Sequence, residues 1–139
     1  MAINFFQEDI QFNLSGKQKI KKWLTQTATE EGFDIKDLNF IFCNDEYLYQ
    51  MNVDYLDHHT YTDIITFDNA EEEKIIEGDI FISIERVREN AHLQKENFNH
   101  ELHRVLSHGL FHLCGINDKS PEDKILMRLK ENQALQKLL

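Results

Sequence analysis

Residues 107–118 read SHGLFHLCGIND, with two histidines four apart, His108 and His112, and an aspartate six residues later, Asp118. On a helix, residues four apart share a face, so both imidazoles can aim at one point. Gly115 can turn the chain at the helix end and swing Asp118 back to that point. Two histidines and a carboxylate hold Zn2+ and leave a position open for water. The same donors suit Fe(II), Mn or Ni. His108 followed by His112, Gly115 and Asp118 also reproduces the spacing of the metzincin site. A zincin, however, carries a water-activating Glu directly after the first histidine, and this chain has Gly109. The plain alternative is two ordinary helix histidines and a capping aspartate. Of the other histidines, His100 lies about 80° round the helix from His108 and could stand behind it. His58, His59, His100 and His103 otherwise read as surface residues, and Cys114 as a small buried side chain.

These residues need elements to hold them. Residues 2–12 alternate loosely, as an edge strand does. Ser15 with Gln18 forms a capping box ahead of Ile20, Trp23, Leu24 and Ala28 at helical spacing, ending near Gly32. LNFIFC (38–43) is a strand, and Asn44 or Asp45 caps a helix with apolar Leu48, Met51 and Tyr55. DIITF (63–67) reads as a buried strand, and 75–84 as another with a bend at Gly78. A polar helix spans 85–94 and carries Arg86 and Arg88. Asn99 caps the histidine helix, which runs to about Cys114. Ser120, Pro121 and Asp123 open a last helix whose stripe is Ile125, Leu126, Leu129 and Leu135. The order β-α-β-α-β-β-α-α-α predicts an α+β fold, with about five helices on a small mixed sheet of about four strands.

At 139 residues with 41% hydrophobic content, the chain suits a single domain over 1–139. Five Gly and one Pro provide no linker. The N-terminus makes a poor signal peptide, no apolar run suits a bilayer, and two cysteines form no disulfide framework, so a cytoplasmic location without a membrane is expected. The net charge of −10 opposes general affinity for nucleic acid. It is uneven: residues 1–100 hold 20 acids and 9 bases, residues 101–139 hold 5 acids and 6 bases. The segment bearing the candidate ligands is the least acidic.

HGLFHLCGIND resembles the HGxLHLxGxDH signature of the YbeY family of bacterial rRNA maturation factors, matching at positions 108, 109, 112, 113 and 115. TDIITF (62–67) resembles the family's TDVLSF strand, EGDIFIS (77–83) its GDI strand, and Asn52 and Tyr55 fit the segment before them. The resemblance covers nearly the whole chain. It implies a zinc held by His108, His112 and Asp118, and a metal-dependent endoribonuclease specific for single strands. It further implies work on rRNA, at the 3' end of the small-subunit species and in ribosome quality control, with the small ribosomal subunit and its proteins as partners. Two positions depart from the family pattern: Asp118 replaces a third histidine, and Leu56 replaces an arginine that follows the tyrosine.

The expected chemistry is metal-assisted phosphodiester cleavage, with a nearby cation stabilising the developing charge. Asp63 is the candidate base, or equally a strand-start cap. Arg86, Arg88 and Lys119 are candidates for the missing positive charge. Two rival readings are a zincin-like peptidase, which Gly109 disfavours, and a non-catalytic assembly factor with a structural metal, for which an acidic surface would suit basic ribosomal proteins.

Overall fold

A computed structural model describes residues 2–138. The order is β1 (Ala2–Glu8), α1 (Lys17–Glu30), β2 (Asp34–Cys43), α2 (Asp45–Leu56), β3 (Ile64–Asp68), β4 (Ile75–Ser83), α3 (Ile84–Leu93), α4 (Phe98–Leu113) and α5 (Pro121–Leu138). The four strands form one mixed sheet in the order β1-β2-β4-β3, as the α+β expectation required. β1, β2 and β4 run parallel, and β3 pairs antiparallel with β4 at the edge.

The pleat sends alternate side chains to opposite faces. Leu38, Phe40 and Phe42 of β2 and Ile76, Ile80 and Ile82 of β4 enter the main core. Trp23 and Leu24 of α1, Leu102, Leu106 and Leu110 of α4, and Met127 and Leu135 of α5 join them there. A smaller core lies on the opposite face, where Leu48 of α2 covers Cys43 and Ile65.

Several local expectations are corrected. β1 stops at Glu8. Gly16, in the left-handed region at φ 70, precedes α1, and no side chain caps that helix, so Ser15 and Gln18 form no capping box. β3 is an edge strand with Ile65 as its buried residue. Tyr55 is exposed, and α2 instead buries Leu48 and Asn52. Asn52 Nδ2 donates to the Thr60 carbonyl at 2.8 Å and ties the following loop to the helix. Asn97 caps α4 by accepting from the backbone of Asn99 and His100. Asn44 does cap α2, and Ser120 accepts from Asp123 N at 3.1 Å.

Gly78 makes no bend. It sits within a continuous β4, where a Cβ would meet the Phe67 carbonyl oxygen at 2.5 Å and the Leu113 methyls at 3.2 and 3.3 Å. Gly109 is its counterpart on the helix, where a Cβ would meet Ile80 Cδ1 at 2.9 Å and Ile64 Cδ1 at 3.0 Å. These two glycines let α4 lie close on β3 and β4, which sets the depth of the histidine pair beside the sheet.

α5 departs most from expectation. It buries Met127, Glu131, Ala134, Leu135 and Leu138, while Ile125, Leu126 and Leu129 are exposed. Met127, Glu131 and Ala134 recur at helical spacing along one face. A carboxylate in the middle of that face disguises it in the sequence.

Candidate metal centre

His108 and His112 lie one turn apart near the C-terminal end of α4, with their ring centroids 4.6 Å apart. Gly115, at φ 85, closes the helix through the bond from its N–H to the His112 carbonyl. The short turn that follows returns Asp118 to the pair. His108 Nε2 lies 3.2 Å and His112 Nε2 3.4 Å from Asp118 Oδ2, and the two Nε2 atoms are 3.0 Å apart. Ligands about 2.0–2.1 Å from a tetrahedral ion stand roughly 3.3 Å from one another. The three donors therefore form one face of such a tetrahedron, and the fourth position is left to a non-protein ligand. All three side chains are partly exposed, so the fourth position is accessible. The set fits a divalent transition metal in both geometry and donor chemistry.

Glu131 is the residue that sequence reasoning missed. It reaches from α5 and accepts a hydrogen bond from His108 Nδ1 at 2.7 Å, although it is only 4% exposed. This contact occupies Nδ1 and leaves Nε2 for a metal. Behind Glu131 lies a buried ion network in which Arg104 Nη1 stands 3.5 Å from Glu131 Oε1 and Arg104 Nε 3.4 Å from Glu101 Oε1. Arg104 also donates to Asn132 Oδ1 at 3.0 Å. His100 contacts Arg104 Nη2 at 3.3 Å, so it stands two steps from the ligands. His103 packs against Trp23 and is half-buried, not a surface residue. Glu131 could have been suspected only from a charged residue at a core-facing helical position.

These contacts set the protonation of the site. Burial alone would depress His108, but the Glu131 hydrogen bond and charge, then Asp118 and Asp63, hold it above the ordinary imidazole range. His112 is pushed down by burial and by His108, with Asp118 opposing. Burial raises the Asp63 carboxyl, against the pull of His108. Asp63 stands just before β3. Its carbonyl accepts from Ser83 N at 3.0 Å, and Asn90 Nδ2 reaches its carboxylate at 3.4 Å. Its backbone thus joins the strand start while its carboxyl lies within electrostatic reach of His108.

The candidate cations are placed differently from one another. Arg86 pairs with Asp45 at 2.6 Å and lies over the Tyr61 ring. Arg88 lies over Phe98. Lys119 is exposed next to Asp118 in sequence. Cys114 is no ligand of the group, and burial pushes its thiol up to about 12.

A small α+β domain with a long helix on a mixed sheet, bearing two histidines and a returning carboxylate, defines a class of compact proteins with a candidate metal site. Comparison with known proteins narrows it. The sequence model of the family described as endoribonuclease YbeY matches residues 2–139, and the chain belongs to that family. An endoribonuclease YbeY of Cytophaga hutchinsonii is 56% identical over 134 residues, covering 96% of this chain and 94% of that one. One from Parabacteroides distasonis is 46% identical, covering 97% and 94%. A Thermotoga maritima protein of known solution structure shares the fold, with a TM-score of 0.69 at 23% identity over 99% of this chain and 89% of that one. The family is one of endoribonucleases, hydrolases that act on RNA.

Proposed function

We propose that residues 1–139 form one metal-dependent endoribonuclease domain that cuts single-stranded regions of rRNA in the cytoplasm. Its work is maturation of the 3' end of small-subunit rRNA and ribosome quality control, in contact with the small subunit and its proteins. Family membership supports the reaction class. The observation that carries the metal dependence is the convergence of His108 Nε2, His112 Nε2 and Asp118 Oδ2 to 3.0–3.4 Å of one another. Zn2+ is the ion of this reading, and the two histidines and carboxylate suit it.

When bound there, the ion supplies Lewis acidity to a phosphoryl oxygen or lowers the pKa of a water. His108 and His112 would hold it through Nε2 and Asp118 through Oδ2, and Glu131 fixes the His108 ring by holding Nδ1. Asp63 is the base of this reading, since burial raises its carboxyl toward the range in which a carboxylate accepts a proton effectively. Of the three cations singled out in the sequence, Lys119 follows a ligand directly and has no ion pair among the described residues, which favours it over Arg86 as a phosphate contact.

The peptidase reading loses its footing at residue 109. A Glu there would have to enter the contact of α4 with Ile64 and Ile80 and could not face the metal. The test is an incubation of the metal-loaded protein with single-stranded RNA and with casein, with and without chelator. RNA cleavage that stops with chelator and in His112→Ala is expected, and casein should remain intact. Cleavage of equal rate in His112→Ala would overturn the proposal.

A further inference from the structure

Apart from Lys119, the site lacks an obvious cation. Position 56 is Leu, on α2. Arg104 is buried and engaged by Glu101, Glu131 and Asn132, and Arg86 is paired with Asp45. Lys130 and Lys137 are held by Glu31 and Glu30 at the end of α1. Cleaving a phosphodiester nevertheless concentrates negative charge at the metal, and the chain as a whole is acidic.

Two cations on α5 meet this need. Glu131 marks the side of α5 that faces the metal ligands, through its 2.7 Å bond to His108 Nδ1. Residues three and seven positions earlier lie on the same side, one and two turns nearer the Asp118 loop. Those residues are Arg128 and Lys124. Arg128 Nε stands 3.7 Å from Glu131 Oε1, on the same carboxylate whose other oxygen holds His108. That contact is longer than a hydrogen bond, and the side chain is 53% exposed, so the guanidinium stands open to solvent beside the site. Lys124 is exposed and unpaired among the described residues.

Burial of acids sharpens the effect. Three of the five acids in residues 101–139 are taken up by the site itself, Glu101 and Glu131 in the buried network and Asp118 among the ligands. What remains between Lys119 and Arg128 is three exposed cations against exposed Glu122 and half-buried Asp123.

We propose that Arg128, assisted by Lys124, is the phosphate-binding group beside the metal centre and supplies the positive charge that Leu56 does not. The ligand is a backbone phosphate of single-stranded RNA, taken bidentately by the exposed guanidinium. This rests on the endoribonuclease reading above.

The test uses the full chain and a fluorescent single-stranded RNA oligonucleotide. Affinity is measured by anisotropy in chelator, so that no cleavage intervenes, across a salt series. Cleavage is measured separately with zinc. Arg128→Ala is expected to weaken binding about tenfold and to reduce the salt slope by about one. Arg128→Lys should recover the slope but only part of the affinity. Zinc stoichiometry and melting temperature should match the parent, which separates loss of a phosphate contact from disturbance of Glu131. Lys36→Ala, on β2 and remote from the ligands, controls for net charge. Equal affinity and slope in Arg128→Ala and the parent, with a parent that cleaves RNA, would overturn the assignment and leave the nuclease reading standing. A loss seen in Lys119→Ala and not in Arg128→Ala would overturn it in the same way. A parent that neither binds nor cleaves RNA would remove both readings, and the parent's own failure identifies that case.

Discussion

Glu131 does at residue scale what the three ligands cannot do for themselves. A free imidazole rotates and exchanges its tautomer. With Nδ1 held at 2.7 Å by a buried carboxylate, His108 keeps its Nε2 directed at His112 and Asp118. Glutamine in place of Glu131 preserves shape and removes charge. Glu131→Gln should therefore fold as the parent does and bind zinc about 10–100-fold more weakly, measured by competition with a chromogenic chelator. Losing that charge leaves His108 and Arg104 each short of a buried partner, so the metal-free melting temperature should also fall. Unchanged zinc affinity in this variant would show that the His108 ring is oriented by its packing alone. The convergence of the three candidate donors was legible in the sequence, because four-residue spacing and a glycine turn are local geometry. Glu131 was not, because its partners, His108 and Arg104, lie 23 and 27 residues away.

The same contrast holds among the elements. Element order, the mixed sheet and the cap at Asn44 follow from short-range pattern and were readable. The face of α5 was not. Ile125, Leu126 and Leu129 form as good a stripe as the one used, and the buried network together with Met127, Ala134, Leu135 and Leu138 makes the face containing Glu131 the inner one. Ile125 consequently stands 71% exposed. Gly78 reads in the sequence as a bend, and Gly109 as a residue that admits a close approach. Between them they seat α4 on the sheet, and substitution tests this directly. In Gly109→Ala, helix propensity would favour the change by about 1 kcal/mol. Methyl contacts at 2.9 and 3.0 Å cost about 1–3 kcal/mol, so a net loss is expected. Because residue 109 sits next to His108 and three from His112, zinc affinity should fall along with the melting temperature. Gly78→Ala meets a backbone oxygen at 2.5 Å, which cannot rotate away, so its destabilisation should be the larger of the two. Thermal melts decide this, and a Gly109→Ala midpoint at or above the parent's would mean that the Ile80 and Ile64 side chains give way freely.

For the whole molecule, the candidate metal centre sits where three parts of the chain meet: the end of α4, the loop to Asp118 and the inner face of α5. Negative groups converge there. Glu101 and Glu131 share one buried arginine, and Asp118 and Asp63 stand near His108. A divalent cation offsets that convergence and fastens the loop to both helices, so binding should favour the folded chain over the unfolded one. At a free zinc concentration 100-fold above Kd the stabilisation would be about 2.7 kcal/mol. For a chain of this length that raises Tm by about 10 °C. Chelator should reverse the shift, and His112→Ala should abolish it, in differential scanning fluorimetry. A midpoint that does not move with zinc at that excess would mean that the unfolded chain binds the ion equally well. The triangle of Nε2, Nε2 and Oδ2 would then not be a site made by folding.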